Sequence, residues 1–493
     1  AGFHPEENDI RADLYFSDMD GDWDRDGDGI FGELEDSIDI YPDVFVGRIP
    51  VHNRQDVQNF VNKILNYEKE PTLDYTDHYL FLGMVLWQDP FTDAGIHKDR
   101  IDSLYIPHYI SVEKLYETLG NETHSNVMAA LNQGRHIINH DGHGWYSGMW
   151  LNNSDPVQTY LSRTDMDNLS NGSRYSILYS IGCWVGAFDF DCIAEHFINS
   201  RSGGGVAILA NSRYGWGSPG NPGFGYSDKL DDQFFKHMFE DKNKEIGIVL
   251  SKSKADFVPY AQDLNVFRWV EYEINLMGDP AMPIWTLIPD TFEITAPPYY
   301  TDSAGFKIEV TSNLIPVKDA ICTLWMDSLY SKSVTDFNGN AYFKLAGGLP
   351  DSLILTVRYY NIKPKQIVLY KKSEDILEID SIWIRDIASR DEYISPGDSA
   401  VVFFKIANKL DSIIVDTLLI HSTADTMVNI LDTIVPILFD PGEVRICSSK
   451  VYISEFFPMN HSFMLTVKSH YLNKTEMINV VSPQIELYST FKK

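Results

Sequence analysis

The chain has 493 residues, too many for one hydrophobic core, so about two to four domains are expected. Its 70 acidic residues outnumber 40 basic ones, which gives a formal charge of −30. Because binding to nucleic-acid phosphates needs a basic surface, no nucleic-acid partner is predicted. Four cysteines are too few for a disulfide framework, and no apolar run reaches the roughly 20 residues of a transmembrane segment.

Strand and helix patterns alternate through residues 1–289. In chain order they predict a strand at 44–48, a helix at 56–67, a strand at 79–85, a helical stretch at 97–118, strands at 136–139 and 175–181, a helix at 192–198 and a strand at 205–210. In the first helix, apolar positions 57, 60, 61, 64 and 65 follow the spacing of one buried face. This alternation predicts an α/β fold whose mostly parallel sheet is flanked by helices.

Period-two alternation replaces this pattern beyond about residue 290. Strands are predicted at Phe306–Val310 and Leu353–Val357, with Asn338-Gly339 as a tight turn. A similar block begins at residue 372, with Pro-Gly turns at 396–397 and 441–442. The predicted organisation is therefore an α/β domain at 1–289 followed by two all-β immunoglobulin-like sandwich modules, at 290–371 and 372–493.

An acidic loop at residues 20–35 matches the D-x-D-x-D-G-x5-E calcium pattern. The predicted ligands are Asp24, Asp26, Asp28, the carbonyl of Ile30, and Glu35, with Asp22 and Glu33 as further acids nearby. A solvated acidic turn is the alternative, but so many carboxylates repel one another without a counter-ion. Since the flanking sequence does not show two clear helices, we predict an EF-hand-like loop holding a structural Ca²⁺.

Two of the predicted strands end in residues that can carry chemistry. One leads into Gly142-His143-Gly144 and the other into Gly182-Cys183. Reaction sites in parallel sheets lie beyond the carboxyl ends of the strands, and a thiol needs a neighbouring base to form a thiolate. Glycines also allow close approach of the backbone and leave N–H groups for an oxyanion hole. Taken singly, a cysteine or histidine here is more often a packing residue.

Further segments occur in the same order as in a known peptidase family. They are Val44–Arg48, Asn66–Lys69, Gly142–Gly144, Gly182–Phe188, Cys192–Glu195, Val206–Ala210 and Met277–Ala281. The sequence resembles the gingipain (C25) peptidases of the caspase-like clan, whose signature is His-Gly after one strand and a cysteine after the next. The resemblance implies Cys183 as the nucleophile, His143 as the acid/base, and the N–H groups of Gly144 and Cys183 as oxyanion donors. It leaves Cys192 as a core residue, and His140 as a residue that either orients His143 or only ends the strand.

The sequence departs from that family at two sites. Gingipains carry a glutamate near the end of the strand that corresponds to Leu80–Trp87, where this chain has apolar residues and then Asp89. The acid that makes some gingipains arginine-specific aligns with Gly95, two residues after Asp93. Trp216 resembles the tryptophan that lines the family's primary pocket. Trp216, Asp93 and Asp89 are therefore the candidate pocket residues.

The resemblance implies a secreted or cell-surface cysteine endopeptidase that cleaves proteins or peptides through an acyl-enzyme. One alternative is a sortase-like transpeptidase of the same family, which passes the acyl group to an amine. The other is a catalytically inactive, calcium-stabilised adhesion protein. No signal peptide is recognised at the start, and the family's domain has further strands before the position of Ala1. We therefore expect either a fragment or a cleaved precursor whose N-terminal piece stays bound as a partner.

Overall fold

The computed structural model describes residues 2–5, 9–153, 159–241, 244–297, 299–300, 306–326, 329–344, 350–371, 377–388, 392–409, 413–469 and 472–481. These residues form two compact units, one within 1–296, 306–343 and 354–368, the other within 297–305, 344–353 and 369–493. The division into three domains predicted from sequence stays a prediction. None of the described helices is both long enough and apolar enough to cross a membrane.

Helices in the described residues are confined to the first unit. They are α1 Leu14–Ser17, α2 Arg54–Lys69, α3 Ala94–Tyr105, α4 His124–Gln133, α5 Arg163–Asp167, α6 Ile193–Asn199, α7 Tyr226–Glu240, α8 Ile246–Ala255 and α9 Val266–Glu273, with 3-10 turns at Glu117–Leu119 and Val258–Tyr260. The helix predicted at 56–67 is confirmed as α2, which begins where the Asn53 side chain accepts from two backbone N–H groups.

The main sheet of the first unit has six strands in the order β11-β10-β9-β5-β1-β4. Their bounds are β1 His78–Gly83, β4 Ser111–Tyr116, β5 Ile137–Asp141, β9 Ser176–Ser180, β10 Gly205–Asn211 and β11 Ile274–Met277. Only β11 runs antiparallel to its neighbour, so the prediction of a mostly parallel sheet is confirmed. The central strands β5, β9 and β10 are buried throughout, as expected for strands covered on both faces.

Two short sheets flank the carboxyl edge of the main sheet. One pairs β2 Val85–Gln88 with β3 Phe91–Asp93, and the other joins β6 Gly144–Trp145, β7 Gly148–Trp150 and β8 Tyr160–Ser162. Each follows the end of a main-sheet strand in the chain, the first after β1 and the second after β5. They therefore place loops beside the residues predicted to carry the chemistry.

Three predictions about this unit are wrong in part. The helical stretch predicted at 97–118 ends at Tyr105 and is followed by the edge strand β4, in which only Leu115 and Tyr116 are fully buried. The strand predicted at 44–48 is reduced to a single bridge between Arg48 and Met277. In α2 the buried positions are 60, 63, 64 and 67, while 57, 61 and 65 are exposed, because the helix contacts the sheet over a narrower stripe than its apolar pattern.

Strands make up the rest of the described chain. They are β12 Glu293–Thr295, β13 Tyr299–Tyr300, β14 Phe306–Ser312, β15 Ile315–Pro316, β16 Ile321–Met326, β17 Leu329–Val334, β18 Asn340–Phe343, β19 Ser352–Tyr359, β20 Ile362–Lys371, β21 Leu377–Asp386, β22 Ser399–Asn408, β23 Ile414–Ser422, β24 Val428–Ile430, β25 Ile434–Phe439, β26 Val444–Ile453, β27 His461–Lys468 and β28 Asn473–Val480. The two predicted strands are confirmed as β14 and β19, and Gly339 has the positive φ of 74° that its turn requires.

The later strands of the second unit form two sheets around one core. The sheets have the orders β21-β22-β26-β24 and β25-β23-β27-β28. Alternate residues of both contribute to a shared cluster that includes Phe404, Leu418, Phe439 and Leu465. This alternation of buried and exposed positions is what the period-two sequence pattern predicts for sheets with one face on a core.

Candidate active site

His143 and Cys183 lie beyond the carboxyl ends of adjacent parallel strands. Strands β5 and β9 are paired so that His140 is opposite Ser180. Since His143 and Cys183 each follow three residues later, the two turns leave the sheet at the same level. Both side chains are half-buried. Sequence reasoning therefore placed the two residues on neighbouring strand ends correctly.

The two turns that carry these residues are in backbone contact. A Cβ on Gly144 would lie 2.7 Å from the carbonyl oxygen and 3.2 Å from the nitrogen of Cys183. A Cβ on Gly182 would lie 3.1 Å from the carbonyl oxygen of Gly142. Glycine at 144 is needed because any side chain would separate the two turns. The main-chain N–H groups of Gly144 and Cys183 consequently belong to touching segments.

The His143 imidazole is held by a main-chain carbonyl. Its Nε2 lies 2.9 Å from the carbonyl oxygen of Leu86, and its ring meets the Trp87 ring edge-on at a centroid distance of 6.0 Å. Because a carbonyl can only accept, Nε2 must carry the proton, and Nδ1 of a neutral ring is then the acceptor. This contact fixes the tautomer in which Nδ1 can act as a base.

The Leu86 carbonyl is itself fixed by a carboxylate–amide arrangement. The Nδ2 of Asn153 donates to the same oxygen at 3.3 Å. Glu117 accepts from the backbone N–H of Asn153 at 3.0 Å and from that of Val85 at 2.8 Å. Glu117 thereby ties β2 to the loop after β7 and helps to position the Leu86 carbonyl. No residue of the Leu80–Trp87 strand presents a carboxylate, as the sequence indicated.

The Cys183 sulfur lies against the segment that follows β10. The backbone N–H of Gly215 donates to Sγ at 3.2 Å, and the thiol donates to the carbonyl of the same residue at 3.7 Å. The next residue, Trp184, has φ +60°, an unusual value for a non-glycine residue. Its indole is covered by the Arg213 guanidinium, 4.5 Å from the ring centroid, and by Trp145 at 4.8 Å. These contacts hold the strained turn that presents the thiol.

The competing histidine and cysteine have other roles in the structure. His140 is buried, with Nδ1 2.8 Å from the Ser180 hydroxyl and Nε2 3.1 Å from the Trp150 carbonyl. Burial lowers the pKa of His140 to about 4, so the ring is neutral and secures the hairpin after β5. Cys192 is fully buried, and burial raises the pKa of its thiol to about 12. A protonated, enclosed thiol cannot serve as a nucleophile.

The pocket candidates differ in what the structure gives them. Trp216 is half-buried directly after Gly215, and its indole N–H donates to the buried Glu273 carboxylate at 2.8 Å. Its ring also packs on Trp269 at a centroid distance of 5.4 Å. Asp93 caps α3 by accepting from the Gly95 N–H and from the Thr118 hydroxyl. Asp89 is exposed.

A buried ionic cluster lies under the turn that carries His143. Asp141, at the end of β5, is 2.8 Å from His97 Nδ1, and the other ring nitrogen is 3.3 Å from Asp232. Lys98 donates to Asp231 at 2.7 Å, and its side chain is fully buried. Although burial and Lys98 oppose protonation of His97, hydrogen bonds to the two aspartates raise its pKa to about 9. The cluster joins α3, β5 and α7, and its positive charges are those of His97 and Lys98.

The acidic loop brings three of its predicted ligands together. Oxygen atoms of Asp24, Asp26 and Asp28 lie within 4.8 Å of one another. Gly29, with φ +82°, donates its N–H to Asp24 at 2.9 Å and makes the turn tight. Glu35, Asp22 and Glu33 lie in the same loop but outside that group of side chains, and Ile30 donates its N–H to Asp28 at 2.7 Å. Desolvation, and then repulsion from Asp28, raises the pKa of Glu33. An all-oxygen donor set of this kind fits a hard divalent cation.

The loop is also anchored to the helix that reaches the candidate site. Asp36 accepts from the backbone N–H of Gly32 at 2.8 Å, and the Gly32 carbonyl accepts from the Tyr272 hydroxyl at 2.8 Å. The adjacent residue in α9 is Glu273, the partner of the Trp216 indole. A continuous set of contacts therefore joins the acidic loop to Trp216, the aromatic residue that follows Gly215 beside Cys183.

Leu86, Glu117 and Gly215 are site residues that sequence reasoning did not identify. Leu86 and Gly215 contribute main-chain groups, which carry no side-chain signature. Glu117 lies in the region that was predicted to be helical. The structure requires glycine at 215, because a Cβ there would lie 1.8 Å from the Ile181 carbonyl oxygen.

The fold and the site define an α/β protein with a histidine and a cysteine at adjacent strand ends. The model of Peptidase family C25 matches residues 4–285, and the chain therefore belongs to that family. Gingipain R2 of Porphyromonas gingivalis is 25% identical over 354 residues, covering 68% of this chain and 45% of the gingipain. This chain thus spans less than half the length of that curated relative.

Two solved structures share the fold. The crystal structure of the Arg-specific cysteine proteinase gingipain R matches with a TM-score of 0.60 and 20% identity, covering 73% of this chain and 79% of that one. The complex of Porphyromonas gingivalis RgpB pro- and mature domains matches with a TM-score of 0.59 and 20% identity, covering 73% and 81%. The gingipain-like architecture, a mixed sheet flanked by helices, is therefore confirmed.

Proposed function

We propose that this protein is a cysteine endopeptidase in which Cys183 is the nucleophile and His143 is the acid/base. The observation that carries the proposal is the placement of both residues on touching turns of one C25 domain, three residues beyond paired positions of β5 and β9. The substrates are proteins or peptides. Within the part of the chain that the structure describes, no feature favours a transpeptidase or an inactive adhesion protein over this function.

The chemistry follows from the groups around the sulfur. His143 Nδ1 takes the thiol proton, since Nε2–H is committed to the Leu86 carbonyl, and the Gly215 N–H stabilises the resulting thiolate. The thiolate attacks the scissile carbonyl, and the N–H groups of Gly144 and Cys183 bind the oxyanion. His143 then protonates the leaving amine, and water hydrolyses the acyl-enzyme.

An activity-based probe tests whether the site is a working one. We expect an acyloxymethyl ketone peptide to alkylate Cys183 stoichiometrically, because a thiolate beside an oxyanion hole attacks the probe carbonyl. Mass spectrometry of tryptic peptides locates the adduct. Cys192, with its raised pKa, is the internal control and should stay unmodified. A chain that is cleanly folded yet unlabelled at Cys183 would be the inactive scaffold.

We also propose that Asp24, Asp26 and Asp28 hold a structural Ca²⁺ together with the Ile30 carbonyl and Glu35. Asp22 and Glu33 would be additional acids of the loop. The three convergent carboxylates and the tight turn at Gly29 support the proposal. The ion would supply charge neutralisation to the loop. It takes no part in the steps at Cys183.

Removal of calcium should destabilise the first unit. When the free calcium concentration is about 100 times the Kd, removing the ion should lower the free energy of unfolding by about 2.7 kcal/mol. Thermal or urea unfolding in calcium and in EGTA measures it, and Asp26→Asn should remove most of the difference. Asp263→Asn, at an exposed acid outside the loop, is the matched control. Identical unfolding curves in calcium and EGTA would contradict the assignment.

Other features of the protein follow from the same family membership. We propose that it acts outside the cell or at the cell surface. Its β-rich segments after residue 289 would be immunoglobulin-like modules, which the paired sheets of β21–β28 support. A bound N-terminal or pro-segment of the same precursor is the proposed partner, by analogy with the RgpB complex of pro- and mature domains.

A further inference from the structure

A cavity of about 340 Å³ lies in the first unit, away from Cys183. Helix α2, the segment after β11, and strands β16, β19 and β20 enclose it, and its lining includes Glu68, Trp285, Ile321 and Arg358. Because β11 is antiparallel, with Ile274 opposite Asn211 and Met277 opposite Ile208, the segment after it leaves at the amino ends of the other strands. The cavity is therefore at the opposite edge of the sheet from the candidate active site.

The walls of the cavity are largely apolar and aromatic. Ile321 and Ile362 face it from strands, and the rings of Tyr359 and Tyr360 lie 4.5 Å apart at its rim. Trp285 is buried, and its indole N–H donates to the Tyr67 carbonyl, which fixes the ring. Small-molecule sites have this character, with an apolar lining and a few polar groups that orient the ligand.

One carboxylate of the lining, Glu68, is attracted by Arg358 and Lys69 only at longer range than a direct ion pair. Glu68 is half-buried at the end of α2, and the described residues provide it with neither a hydrogen bond nor an ion pair. The Arg358 guanidinium instead contacts Glu245 at 3.3 Å, and Lys244 donates to the Met238 carbonyl. Burial, and then repulsion from Asp279, outweighs the attraction of Arg358 and Lys69 and raises the pKa of Glu68 to about 7. A cation from outside would satisfy this carboxylate.

We infer that this cavity binds a cationic amine or guanidinium attached to an apolar body, with Glu68 as the ion partner of the positive head. The volume is at the lower end for ligand pockets and suits one aromatic amine or one basic side chain of a peptide. The inference does not depend on peptidase activity. It assigns a second ligand site to the chain.

Binding measured by calorimetry on the full chain tests this. Benzylamine should bind saturably, and Glu68→Gln should weaken it at least about tenfold, because a charge-assisted contact is lost. Benzyl alcohol has the same shape without the charge, so its Kd should be the same for the parent chain and for Glu68→Gln. Glu70→Gln removes an exposed acid two residues away and should leave the Kd unchanged. Ala281→Phe, which fills the cavity from an exposed position, should abolish binding.

A second ligand identifies the natural source of the cation. If acetyl-arginine amide binds more tightly than benzylamine, with the same dependence on Glu68, the occupant is a basic side chain of a peptide; the reverse order indicates a free amine. Absence of saturable binding for both ligands up to about 10 mM, or an equal Kd in the Glu68→Gln chain, overturns the inference. Because the readout is binding at the edge remote from Cys183, an inactive peptidase site would not affect the result.

Discussion

Cys183→Ala should reduce peptide cleavage by a factor on the order of 10³ or more, because no acyl-enzyme can form without the sulfur. The residual rate would come from binding and from the oxyanion donors alone. Initial rates on a quenched peptide library measure the loss. Cys447→Ala is the matched control, since it removes a half-buried thiol from strand β26 and should leave the rate unchanged.

His143→Ala separates the roles of the two residues. We expect a loss of about 10²–10⁴-fold near neutral pH, with partial recovery as the pH rises and the thiol ionises without its base. A variant of Cys183 that still cleaves at the full rate would exclude it as the nucleophile. A His143 variant with the same rate and pH profile as the parent chain would exclude the imidazole as the base.

Strands buried on both faces were predictable, and strands at the edges were not. Strands β1, β9 and β10 contain continuous apolar runs because helices cover both of their faces, and β5 begins with Ile137-Ile138 before its buried polar end. Strand β4 reads S-V-E-K-L-Y, and with Glu113 and Lys114 half-buried at the edge its pattern suits an amphipathic helix equally well. Strand β11 has only four residues and follows α9 without a turn, so no boundary signal precedes it.

The candidate site shows the same division between local and distant information. Gly-His-Gly and Gly-Cys are local motifs that the sequence shows directly, whereas the pairing of His140 with Ser180, which puts both motifs at the same level, comes from the structure. The Leu86 carbonyl, in contrast, depends on the path of β2 and on Glu117 and Asn153. A main-chain acceptor replaces the expected glutamate, and only coordinates can reveal it.

Lys98→Met should lower the free energy of unfolding by about 3–5 kcal/mol, because it removes one partner from a buried ion pair. Lys98 is fully buried and lies 2.7 Å from Asp231 and 3.6 Å from Asp141. Burial opposes its charge, but attraction to these aspartates outweighs that effect and raises the pKa of Lys98. Methionine fills the same space and leaves Asp231 desolvated without its cation. Urea unfolding at neutral pH measures the loss.

A surface lysine provides the comparison that makes this result specific. Lys114 contacts Asp99 at 2.8 Å and Asp102 at 2.6 Å, but its side chain is 30% exposed. Water already solvates those charges, so Lys114→Met should cost about 1 kcal/mol or less. Adding Asp231→Asn to Lys98→Met should recover part of the loss, since it removes the orphaned charge. If both lysine variants unfold alike, the ions around Asp141 contribute nothing to holding the strand that presents His143.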